Sequence, residues 1–130
     1  MPRGGQFRGD LARVKGLGAA KEGVAHWWAQ RVSAVALVPL TIWFVVAVVA
    51  HVGSDHATMV DWLSSPLSLG LMIAVVVATF YHAELGLQHV IEDYVQSEAC
   101  KIALLLALKF ACLALGLAAI VSLLVIAFGN

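Results

Sequence analysis

The stretch Tyr81-His82-Ala83-Glu84-Leu85-Gly86-Leu87-Gln88-His89-Val90-Ile91-Glu92-Asp93-Tyr94 gathers two imidazoles, carboxylates and two phenols at the end of a long apolar run. Ionisable groups at or near membrane depth are costly to keep, so they are candidates for function by default. On a helix, at about 100° per residue, His82, Gly86, His89 and Asp93 fall within roughly 40° of one direction. One face then carries two imidazoles, a carboxylate and, at Gly86, a gap with no side chain. A neutral imidazole inside a helix bundle is a good axial ligand for haem iron. A glycine one turn on lets a flat macrocycle come near the backbone. Asp93 lies about 16 Å further along the same face. There its carboxylate and the Tyr94 hydroxyl could hydrogen-bond a polar headgroup and relay protons. Haem in the bundle with quinone near its edge would make an electron-transfer membrane subunit.

Each of these residues also has a plainer role. His82 could equally hydrogen-bond a neighbouring helix. His89 nears the helix end and suits an interface. Glu92 and Asp93 suit the solvated start of a loop, and Tyr94 suits an aromatic belt. Glu84 sits two residues from His82 on a different face, toward a partner helix or the interface. His82 with Glu84 would also suit the proton pathway of a small transporter or channel subunit. A third reading makes the chain a structural assembly factor, with His82 joining helices.

The elements that must position these groups follow from composition. The chain has 130 residues, 62% hydrophobic and 12% charged, with a mean hydropathy of +0.92. A soluble domain is typically about half apolar and a quarter charged, so a compact water-soluble enzyme is excluded. Eight cations balance eight anions, without the basic excess that a nucleic-acid binder needs. Three runs are almost free of charge: Val32 to Ser54, Leu63 to Ala83, and Ile102 to Asn130 with Lys109 alone. Each supplies the about 20 apolar residues a bilayer core requires, and a lone strand would leave backbone groups unpaired in lipid. The expected fold is all-α and integral to the membrane. Three transmembrane helices lie at about 30–53, 63–95 and 101–128. A tail over 1–25 precedes a 26–130 anchor region.

Six cations (Arg3, Arg8, Arg13, Lys15, Lys21 and Arg31) precede the first run, and the next loop has Asp55 and Asp61 but no Lys or Arg. The positive-inside rule then places the N-terminus in the cytoplasm and the C-terminus in the periplasm. Arg31 could be a topology signal alone. Trp27, Trp28 and Trp62 fit interfacial belts, and Lys109 is expected to snorkel to the cytoplasmic side. Pro39 is a tolerated kink within a membrane helix. Ala103, Ala107 and Ala111 form a small-residue stripe suited to close helix contact or simply an alanine-rich helix. Cys100 and Cys112 have no metal-finger or CxxC spacing and read as small apolar residues.

Two segments carry a family resemblance. His26-Trp27-Trp28-Ala29-Gln30-Arg31-Val32-Ser33-Ala34 leads into the first span, and Leu85-Gly86-Leu87-Gln88 with Ile91-Glu92-Asp93-Tyr94-Val95 closes the second. With the helix plan and the length, these resemble the smaller hydrophobic membrane anchor of bacterial succinate dehydrogenase, respiratory complex II. The resemblance implies a subunit of the bacterial inner membrane that works with a flavoprotein, an iron–sulfur subunit and a larger cytochrome b anchor. It implies that His82 is one axial ligand of a haem b shared with that larger anchor. It further implies that Arg31 lies near a haem propionate and that Tyr94, beside Asp93, contributes to a quinone-reduction site. Succinate oxidation would belong to the partners, because the chain has no Gly-rich dinucleotide motif and no cluster-binding cysteines. His89 stands where the family is more often apolar, and Gln96 where histidine is common; His82 and His89 both remain candidates for iron.

Overall fold

A computed structural model describes residues 17–129 of the chain. Four helices follow one another: α1 (Leu17–Ala50), α2 (His56–Ser64), α3 (Pro66–Tyr94) and α4 (Glu98–Phe128). No strand occurs among the described residues. Three helices are long and apolar enough to cross a membrane: Gly23–Ala50 within α1, all of α3 and all of α4. The all-helical, three-span expectation is borne out.

The first helix starts well before the expected residue 30. Ala19, Ala20, Lys21 and Glu22 are strong helix formers, and no proline interrupts the chain between Leu17 and Arg31. Hydropathy marks only the apolar part of a helix, whereas backbone propensity carries it on into the polar region. At 34 residues α1 is about 51 Å long, against about 30 Å of hydrocarbon. The part of the expected 1–25 tail before Leu17, with Arg3, Arg8, Arg13 and Lys15, lies outside the described residues. The helix runs unbroken through Pro39.

The expected helix over 63–95 is in fact two. Pro66 forces the residue before it into extended geometry, and Ser65 sits at φ −65°, ψ 131° between α2 and α3. Pro66 then opens α3, where its missing N–H costs nothing. Asp55 caps α2, its carboxylate accepting the Thr58 N–H at 2.9 Å. The hydrogen bonds from Thr58, side chain first and backbone second, hold the Asp55 carboxyl below its ordinary value of 3.8. A lowered folded-state value means stability that is present above the unfolded pKa and lost as pH falls through the folded one. Asp55→Ala should therefore weaken α2 at neutral pH and flatten this acid-side loss; thermal melts in detergent at neutral and acid pH read both effects. Gly53 makes the turn into this region at φ +82°, where a side chain would be strained.

Helix α3 is the centre of the molecule. It packs on α1 along one side and on α4 along the other, while α1 and α4 make no close backbone approach among the described residues. Helix α2 folds back against α3 and α4. Their junction forms a small core of Leu63, Leu69 and Leu123 with Trp62, Met72 and Ile73 around it. Ser64 donates to the Ala127 carbonyl at 3.3 Å and ties α2 to the end of α4. Trp62 is more than a belt residue, since it stacks on Trp43 at 6.2 Å and lies 4.3 Å from the His51 ring. The His51 Nδ1–H donates to the Ala47 carbonyl at 2.7 Å, completing the end of α1.

The alanine stripe does not mediate contact within this chain, because Ala103, Ala107 and Ala111 are all exposed. Helix α4 turns Lys101, Leu105, Leu108, Cys112, Gly116 and Ala119 inward instead, at spacings of three and four. Gly116 receives the Phe80 ring, which lies 3.7 Å from where a Cβ would stand. Outside these seams the helices stay bare. Only 11% of an apolar 18-residue stretch of each candidate span is buried, which leaves broad apolar faces for lipid or for other subunits.

Candidate functional site

The site is built on the seam between α1 and α3. The two helices run antiparallel, and three successive turns place facing side chains together. Nearest the middle, Ser33 of α1 meets His82 of α3, with 3.0 Å between Oγ and Nδ1. One turn on, Gln30 lies against Gly86, its Nε2 3.6 Å from where a glycine Cβ would stand. A further turn brings His26 to His89, with ring centroids 4.4 Å apart at 86°. His82, Gly86 and His89 therefore do share one face, and that face meets α1.

Ser33 decides the state of the His82 ring. Its side chain is buried, at 6% exposure, and its hydroxyl donates to the Gln30 carbonyl at 3.0 Å. A hydroxyl has one proton. When the hydroxyl donates to Gln30, its oxygen is left to accept from an Nδ1–H of His82. The ring is then held in the tautomer whose Nε2 keeps a free lone pair, the form that ligates a metal. Among the described residues Nε2 has no hydrogen-bond partner. His82 is half-buried and lines an open apolar groove of about 370 Å³ with Ala34, Leu37, Val38, Thr41 and Ile42. No cluster of three or more His, Cys, Asp or Glu occurs among the described residues, so a metal here would draw its remaining ligands from elsewhere.

Ser33→Ala strands a part-buried N–H donor on His82. Leaving such a donor unpaired costs about 1–3 kcal/mol. The variant is expected to unfold at a lower temperature in detergent, and Ser33→Thr should restore most of the loss. Equal melting of Ser33→Ala and wild type would remove Ser33 from the account of the ring.

The other expected site residues are placed as follows. Arg31 is exposed on α1, its guanidinium 5.2 Å from the centre of the Trp27 ring, one turn away. Gly86 is filled by Gln30 rather than left open, so the glycine is what lets α1 approach α3 at that level. Asp93 and Tyr94 lie exposed in the last turn of α3, with Tyr94 at 81% exposure. Beside them Gln88 donates to Glu92 at 3.1 Å. The chain turns back over three residues, 95–97, and Ser97 caps α4. Glu84 is half-buried on the side of α3 toward α4, near Cys112, away from the His82 face. Sequence reasoning missed Ser33 and Gln30. Both sit in the His26–Ala34 segment, but polar partners across a seam become visible only once the register of two helices is known.

Residues 7–126 match the succinate dehydrogenase/fumarate reductase transmembrane subunit family. The chain belongs to that family. It is 35% identical over 103 residues to the succinate dehydrogenase hydrophobic membrane anchor subunit of Rickettsia bellii, covering 79% of this chain and 82% of the relative. Against the anchor subunit of Rickettsia conorii it is 29% identical over 118 residues, or 90% and 94% of the two chains. The anchor subunit of Paracoccus denitrificans is 32% identical over 97 residues, 75% of each chain. As a member of the anchor family the chain is a membrane subunit of a larger enzyme complex, and its three candidate spans suit that place. The polar seam of Ser33, His82, Gln30, Gly86, His26 and His89 lies along the α1–α3 contact of this anchor.

Proposed function

We propose that the chain anchors a succinate:quinone oxidoreductase to the bacterial cytoplasmic membrane. In that complex it shares a haem b with a larger cytochrome b anchor and helps form the quinone-reduction site. The observation that carries the reading is His82 on a membrane helix, its Nδ1 held by Ser33 and its ring bordering an open apolar groove. A residue so placed can supply one axial ligand, and the second would come from the larger anchor. Arg31, exposed beside Trp27, would pair with a propionate, a role suited to a guanidinium. Gly86 lets α1 approach α3 one turn from His82, with Gln30 packed against it. A haem bound through two protein ligands supplies one-electron transfer without an open position for oxygen.

Quinone reduction consumes two electrons and two protons. Tyr94 would donate a hydrogen bond from its hydroxyl to a quinone carbonyl oxygen, and Asp93 would pass a proton toward that oxygen. Both stand at the end of α3, exposed and open to a partner surface. The six cations before the first span support a cytoplasmic N-terminus. That orientation puts the end of α3 on the side where an iron–sulfur subunit and a flavoprotein would dock.

Deleting the chain tests the anchoring role. Membranes should lose succinate:quinone activity, while the soluble fraction retains succinate oxidation with an artificial acceptor. Membranes that keep full quinone-linked activity without the chain would overturn it.

A further inference from the structure

We propose that His26 and His89 form a binding site for a divalent transition metal of the zinc type, separate from His82, at the polar end of the α1–α3 seam. Their rings come from different helices yet stand 4.4 Å apart, edge to face. Neither side chain hydrogen-bonds a protein group among the described residues, and the His26 Nε2 atom is buried without any partner. One turn away the Gln30 Oε1 atom is also buried and unpaired. Buried polar atoms normally have partners, so orphans such as these point to something bound.

The pair is suited to a cation rather than to packing alone. Imidazole nitrogen is a preferred zinc ligand at about 2.0–2.1 Å, and two rings this close can be turned to converge on one ion. The torsion that turns an imidazole about its last bond is soft, so bringing both nitrogens onto one ion needs little rearrangement. His26 is half-buried whereas His89 is exposed. One nitrogen, the His26 Nε2, is thus already out of contact with water, and the exposed His89 leaves a path for the ion to enter. No third His, Cys, Asp or Glu joins the pair among the described residues, so water completes the coordination. A bound ion would clamp α1 to α3 at the level where the two helices leave the hydrocarbon.

Zinc equilibrium dialysis on the chelator-washed, detergent-purified complex tests the site, comparing wild type with His26→Gln, His89→Gln and the double variant. Each single variant should lose one equivalent of bound zinc or weaken it at least about tenfold, since losing even a hydrogen-bond partner of a metal ligand costs about 10–100-fold. The double variant should be no weaker than the singles, because the two ligands act as one unit. Unchanged subunit composition and elution volume show that the variants assemble; His89→Gln alters an exposed side chain and serves as the decisive variant if His26→Gln fails to assemble. Wild-type zinc affinity and stoichiometry in His89→Gln would overturn the site. So would a loss seen in only one of two well-assembled single variants, which would mean surface binding to a lone histidine.

Discussion

Replacing His82 by alanine should abolish the low-spin b-type absorbance of the purified complex. The expectation follows from what holds the ring. The Ser33 O–H donates to the Gln30 carbonyl, and its oxygen accepts from the His82 Nδ1–H, an arrangement that favours the tautomer with Nε2 free without any charged group. On the proposed reading alanine removes one of two axial ligands, and a protein retains such a group poorly by a single bond. His89 gives the internal comparison, because it stands on the same face two turns away. Its ring is exposed and packed edge to face with His26, so His89→Gln should leave the spectrum as it is. A wild-type spectrum in His82→Ala would sink the ligand assignment. Loss of absorbance in His89→Gln but not in His82→Ala would transfer it to the other histidine.

The second large effect is expected at the end of α3. Asp93→Asn should slow quinone reduction by about a hundredfold, the scale of a positioned proton-transfer group. Tyr94→Phe removes one hydroxyl and should cost about tenfold, the worth of one hydrogen bond. Succinate oxidation with an artificial acceptor should hold its rate in both variants, because neither residue belongs to the dicarboxylate chemistry. Tyr94 is 81% exposed in this chain, and a side chain so bare at a helix end either faces solvent or waits for a partner surface. Wild-type quinone turnover in Tyr94→Phe would return it to the aromatic belt.

The membrane spans were legible because their signal is local. A run without charge from Val32 to Ser54 needs no knowledge of any other residue, and the helices follow from the bilayer's demand that backbone groups be satisfied. The one-face arrangement of His82, Gly86 and His89 was legible for the same reason, since it depends only on helical period. Signals for α2 were present in Asp55, Thr58 and Pro66, but a single apolar window read straight across them. What α1 contributes was hidden. Ser33 and His82 are 49 positions apart in sequence, and their meeting depends on how two helices slide past one another. The alanine stripe shows the converse. Ala103, Ala107 and Ala111 are regularly spaced, yet packing chose the neighbouring face with Cys112 and Gly116.

The open arrangement around α3 has a consequence for the life of the subunit in the cell. Among the described residues only Ala47, Leu63, Leu69, Leu85 and Leu123 of the apolar side chains are buried, and none is wholly enclosed. Lipid or other subunits must cover the remaining faces, and wherever subunits do so the chain's stability rises with their concentration by mass action. A copy made in excess keeps its intramembrane polar seam and its bare helix faces accessible to membrane proteases and chaperones. Its abundance should therefore track that of the partner present in shortest supply, and stoichiometric assembly becomes a by-product of a fold that is incomplete alone.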